Sequence, residues 1–76
     1  MSGADRFAAH ERALAQNRPY ALRTNPGEWL GCDALGTAMV ARATKRAAIA
    51  DTIAYVRSHY TREEALVRLG CAAVRT

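Results

Sequence analysis

The stretch from Asp33 to Tyr60, DALGTAMVARATKRAAIADTIAYVRSHY, contains no proline and only Gly36 to weaken a helix. Apolar residues recur along it at the helical step: Leu35 and Met39, then Ile49, Ile53, Val56 and Tyr60. Beside them runs a stripe of small residues, Ala43, Ala47, Ala50 and Ala54, which would let a neighbouring helix approach closely. Between Met39 and Ile49 the apolar series is interrupted by Arg42, Lys45 and Arg46. The reading is therefore helical, with either a break at the interruption or a basic surface that faces something acidic.

Length favours a break. An unbroken helix over these residues would run about 42 Å at 1.5 Å per residue, whereas a compact chain of this size is roughly 30 Å across. Thr44 is a good N-cap and divides the stretch into two pieces that fit one small domain. The unbroken alternative needs a partner along its length, most simply a second copy in a homodimer.

Outward from this centre, Ser2 and Asp5 mark the start of a first helix with Phe7, His10 and Leu14 on one face and Asn17 as its stop. Pro19 then makes residues 18–31 irregular, with Tyr20–Thr24 extended but lacking a second strand to pair with. Asn25, Pro26 and Glu28 read as the opening of a short helical turn: cap, first-position proline, and a glutamate placed to close a capping box. Gly31 ends that turn, and Asp33 caps the next helix. Downstream, Thr61 and Glu64 form a second capping box with Tyr60 and Ala65 as its hydrophobic staple. Leu66 and Leu69 supply the apolar side of the helix it opens, Gly70 terminates it, and Val74 packs a final turn. The expected fold is thus all-α, a single domain over residues 1–76 with four or five short helices and one irregular connection.

The 76 residues suffice for one thin core, since half are apolar but many of those are alanine and five are aromatic. No apolar run is long enough for a transmembrane helix, and charges throughout the first 20 residues do not suit a secretory signal, so a cytoplasmic location is expected with no membrane partner. Cys32 and Cys71 are far apart in sequence and read as buried, reduced thiols. Together with His10 and His59 they have the composition of a zinc site but not its paired spacing, so no metal and no cofactor is expected. Asp51, Glu63, Glu64 and the histidines are the available acids and bases; Glu63 and Glu64 are explained by capping, Asp51 falls on the polar side of the helix, and no phosphate loop or serine elbow occurs. A non-enzymatic role follows.

Net charge is +4, and its excess lies downstream of residue 38, where seven bases face three acids. Ten of the eleven bases are arginine, a bias that suits carboxylate or phosphate recognition and that a GC-rich genome also produces. Within the final residues TREEALVRLGCAAVRT, Glu63–Thr76 resembles the first helix and turn of an excisionase- or MerR-type helix-turn-helix, but too few residues follow to form a recognition helix. Taking Arg62–Leu69 as that helix instead puts Glu63 and Glu64 where base edges and phosphates would lie, so the stretch is read as a capped helix. The candidate partner-binding residues are Arg42, Lys45, Arg46 and Arg57, with Tyr20 and Trp29 as residue types enriched at interfaces. The expected function is a small binding protein acting stoichiometrically on an acidic protein surface or a protein–nucleic acid complex. By analogy of size this suits a regulator or inhibitor from a phage or other mobile element, including anti-defence proteins. A regulator that binds nucleic acid through its C-terminal arginines is the alternative.

Overall fold

The computed structural model describes the backbone of residues 3–75 and the side chains of residues 8–73. The expected roles of Ser2, Phe7 and Val74 lie outside the described residues. Helix α1 (Gly3–Leu14) precedes strands β1 (Tyr20–Asn25), β2 (Glu28–Cys32) and β3 (Ala38–Arg42). Helices α2 (Lys45–His59) and α3 (Arg62–Leu69) follow, then a 3-10 turn over Gly70–Arg75. The strands form an antiparallel meander in the order β1-β2-β3, so the fold is α+β and the all-α expectation is overturned.

The correction begins at Asn25–Glu28. These residues are a two-residue hairpin turn rather than a helix start, with Pro26 and Gly27 between the paired Asn25 and Glu28. Proline followed by glycine at φ +74° matches the residue preferences of a type II turn, whose second central position requires positive φ. The Glu28 carboxylate accepts hydrogen bonds from Thr24 Oγ1 (2.6 Å) and Asn25 Nδ2 (3.2 Å), bracing the hairpin. Tyr20–Thr24, expected to have no second strand to pair with, pairs with Glu28–Cys32, with Ala21 opposite Gly31 and Leu22 opposite Leu30.

Asp33–Thr37 is the second correction. Asp33 does not cap a helix: its Oδ1 accepts from the backbone N–H of Leu35 (3.0 Å) and Thr37 (2.8 Å), folding a loop in which Gly36 takes φ +90°. The same carboxylate, fully buried, pairs through Oδ2 with Arg68 on α3 at 2.8 Å. Arg68 also lies 4.2 Å over the Tyr60 ring. The following AMVAR forms strand β3, although alanine, methionine and arginine favour helix in isolation; pairing with β2 and coverage by α2 outweigh that preference.

Helix α2 begins at the expected place, its Ala47 N–H donating to Thr44 Oγ1 at 3.1 Å. It crosses all three strands and buries Ala48, Thr52 and Val56. Gly31 sets the closeness of this packing, since a Cβ there would overlap Thr52 Oγ1 and come within 2.5 Å of the Ala48 carbonyl oxygen. The glycine read as a helix stop is thus the seat of the helix on the sheet. Thr52 Oγ1, buried in this contact, donates back to Ala48 O at 2.7 Å and so leaves no unpaired hydroxyl.

The core joins Val56, Leu69 and Ala73, with Met39, Ile53, Tyr60, Ala65 and Ala72 packed around it. Capping by Thr61 and Glu64 occurs as expected: Thr61 Oγ1 accepts from Glu64 N (3.2 Å), and Glu64 Oε1 accepts from Thr61 N (3.4 Å). Gly70 ends α3 at φ +54°, against the left-handed Asn17 that follows α1, and Cys71 N–H donates to Asn17 O at 2.7 Å. Both thiols are free, but only Cys32 is buried; Cys71 is exposed, contrary to expectation.

Candidate functional site

The outward surface of α2 collects the most distinctive chemistry. Lys45, Ile49 and Ile53 follow one another four residues apart, with Arg46 and Ala50 alongside, and these five side chains line an open groove of about 530 Å3. Lys45 and Arg46 are exposed and form no ion pair among the described residues, while Ile49 and Ile53 are half-buried. The site is a strip of aliphatic surface with two cations at one end. That end is also the N-terminus of a fifteen-residue helix, whose backbone dipole adds to the positive potential.

Arg42 does not belong to this strip. It ends β3, and its Nε lies 2.6 Å from Asp51 Oδ2 on α2, while its Nη1 donates to Ala41 O at 2.8 Å. The interruption in the helical series thus has a structural cause, because Arg42 sits on a strand and crosses to the helix to neutralise Asp51. Both side chains are nearly half exposed, so the pair contributes at most about 1 kcal/mol. Arg57, exposed and four residues beyond Ile53, continues the row without lining the groove.

Tyr20 and Trp29 lie elsewhere. Tyr20 is only 6% exposed, and its hydroxyl sits 3.2 Å from His10 Nδ1 where α1 meets β1. Burial, with Cys32 and Asp33 beside it, pushes the Tyr20 hydroxyl above its ordinary range and keeps it protonated. Burial likewise raises the neighbouring Cys32 thiol. Trp29 is half-buried in β2 and borders a second, apolar groove of about 360 Å3 with Ala9, Leu22, Thr24 and Leu30. The structure therefore brings together Lys45 and Arg46, and separates from them Arg42, Tyr20 and Trp29.

The candidate acids and bases do not converge. Asp51 is held by Arg42, Glu64 by the α3 cap, His10 by Tyr20, and His59 stacks on Tyr55 with centroids 4.0 Å apart. Among the described residues no group of three or more His, Cys, Asp or Glu side chains is placed to hold a metal ion, and no helix is long and apolar enough to cross a membrane.

One surface escaped the sequence reading. Leu66, expected on the inner side of α3, is 53% exposed, and Val67 is 58% exposed. The inner side is formed by Ala65 and Leu69, four residues apart, which left Glu63, Leu66 and Val67 at i, i+3 and i+4 to share the outer one. That spacing was the available signal. No protein-family model matches the chain, and neither a curated protein nor a solved structure shows significant similarity to it.

Proposed function

We propose that the protein is a non-enzymatic docking module that binds an acidic, amphipathic segment of a protein partner along the outward face of α2, one to one, as a small regulator or inhibitor does. The observation that carries this reading is the juxtaposition of Lys45 and Arg46 with the aliphatic strip Ile49–Ala50–Ile53. Carboxylates on the partner meet the two cations, and its apolar side chains cover the isoleucines; burying them stabilises the complex by roughly 25 cal/mol per Å2 of apolar surface removed from water, before the costs of association. A nucleic-acid backbone would satisfy the cations but leave the isoleucines against charged phosphate. Moreover, Arg42 and Arg68 already hold Asp51 and Asp33, which reduces the arginine surface on offer to phosphates.

A helical peptide carrying glutamate and leucine on one face tests the reading by fluorescence anisotropy, with random duplex DNA of equal length as the comparison. The peptide is expected to bind, and Lys45→Glu with Arg46→Glu to weaken it at least about tenfold, equivalent to about 1.4 kcal/mol, while the circular dichroism spectrum is unchanged. Ile49→Asp is expected to weaken it as well. Tighter binding of DNA than of peptide, with an affinity that falls steeply with salt, would instead establish the nucleic-acid alternative.

A further inference from the structure

The outward face of α3 carries the complement of the α2 groove. Glu63 is exposed and forms no ion pair among the described residues, and one turn further on Leu66 and Val67 present more than half of their surface to solvent. On a helix, residues at i, i+3 and i+4 share a face, so α3 displays a carboxylate followed by two apolar side chains. The groove displays the reciprocal order, two cations followed by Ile49 and Ile53. The two surfaces belong to one chain but do not cover each other within it. The inner side of α3, Ala65 and Leu69, packs with Val56, Ile53 and Tyr60, and leaves Leu66 and Val67 more than half exposed on the outer side.

We infer that the Glu63–Leu66–Val67 face of one copy docks in the Lys45–Arg46–Ile49–Ile53 groove of another, so that the protein associates head to tail with itself. This rests on the reading of that groove as a docking site, and identifies its occupant in the absence of a foreign partner. The contact is heterologous: each copy offers one donor face and one acceptor groove, and a dimer retains one free example of each. Association therefore grows with concentration rather than stopping at two, unless the rotation between copies closes a ring. A partner with a stronger acidic helix competes for the same groove, and self-association holds the groove covered until that partner is present.

Charge exchange provides the test. In sedimentation velocity the wild-type protein is expected to show a sedimentation coefficient that rises with concentration. Lys45→Glu with Arg46→Glu in one variant, and Glu63→Arg in another, are each expected to remain monomeric, because groove and donor face then carry like charge. Mixing the two variants is expected to restore association, since the acidic groove of one accepts the basic face of the other. Leu66→Asp, which leaves the capping box and its own groove intact, is expected to be monomeric alone and with Glu63→Arg, but to pair with the Lys45→Glu/Arg46→Glu variant, whose donor face is unchanged. Circular dichroism of every variant confirms that the fold is retained. A wild-type protein that sediments as a monomer at all concentrations, or variants that associate alone or fail to associate in the mixtures expected to pair, would overturn the inference. If the acidic peptide nevertheless binds the α2 groove of that monomer, the self-association falls while the docking reading stands; if it does not, both fall.

Discussion

Asn25–Glu28 and Thr61–Glu64 carry the same local signature, a capping residue followed three positions later by glutamate, yet the first is a hairpin turn and the second a helix start. The glutamate does similar work in both, its carboxylate accepting hydrogen bonds from Thr24 and Asn25 in one and from Thr61 in the other. What differs is the company. After Glu64 come Ala65, Leu66, Val67, Arg68 and Leu69, largely good helix formers with an inner face to bury. After Glu28 come Trp29, Leu30, Gly31 and Cys32, too short a run before Asp33 for a stable helix, and Gly27 takes positive φ at little cost. A capping box specifies a helix only where the residues beyond it can propagate one.

The comparison can be broken most forcefully at Gly31. If Glu28–Cys32 were helical, Gly31→Ala would stabilise the protein by up to about 1 kcal/mol. Beneath Thr52 and the Ala48 carbonyl the same methyl group has no room, and a loss of about 1 to 3 kcal/mol in unfolding free energy is expected, measured by urea unfolding. Gly27→Ala distinguishes the two readings again, with a smaller effect: nothing lies within 4 Å of the added carbon, so the cost comes from the positive φ alone and is about 1 to 2 kcal/mol. At the other signature, Thr61→Ala removes the side-chain acceptor of Glu64 N–H and is expected to cost about 1 kcal/mol, measured by thermal or urea unfolding.

The smallest effect is on pH dependence. Hydrogen bonds from Thr24 and Asn25 hold the Glu28 carboxyl below its ordinary value, so its contribution is complete above the unfolded carboxyl pKa and is lost as pH falls through the lowered folded value. Stability measured from neutral pH downward is expected to decline less steeply in Glu28→Gln than in wild type on that acid limb. An identical slope would show that the hairpin carboxylate is not linked to folding.

The helical half of the molecule was legible because its signals are local. The Thr44 cap, the Thr61–Glu64 box and the Gly70 terminus each involve neighbours a few residues apart. The sheet was not, because its causes are distant in sequence. Gly31 becomes intelligible only with Thr52 above it, and the helix-favouring AMVAR becomes a strand only when β2 and α2 supply its partners. For the candidate site, the spacing of Lys45 and Arg46 singles them out in the sequence, and Ile49 and Ile53 read as part of an apolar helical face. Arg42 was assigned to that face by the same spacing, which holds only if residues 39–46 share one helix, and the strand–helix boundary at Thr44 removes it.

The hydrogen bond from Cys71 to Asn17, and the Asp33–Arg68 ion pair, also set an order of events during synthesis. Their partners lie 54 and 35 positions apart, and in each the later one belongs to α3 or the turn after it. Neither the end of α1 nor the β2–β3 loop can acquire its final anchor while the chain is still being made up to those residues. Until then the Asp33 carboxylate lacks its cation, and α1 has its contact with β1, through His10 and Tyr20, without the clasp at Asn17. Native-state hydrogen exchange of such a chain is expected to show α1 opening at lower free energy than the β2–α2 pair, since among the described residues the one other helix or strand that α1 meets is β1, while α2 packs on all three strands.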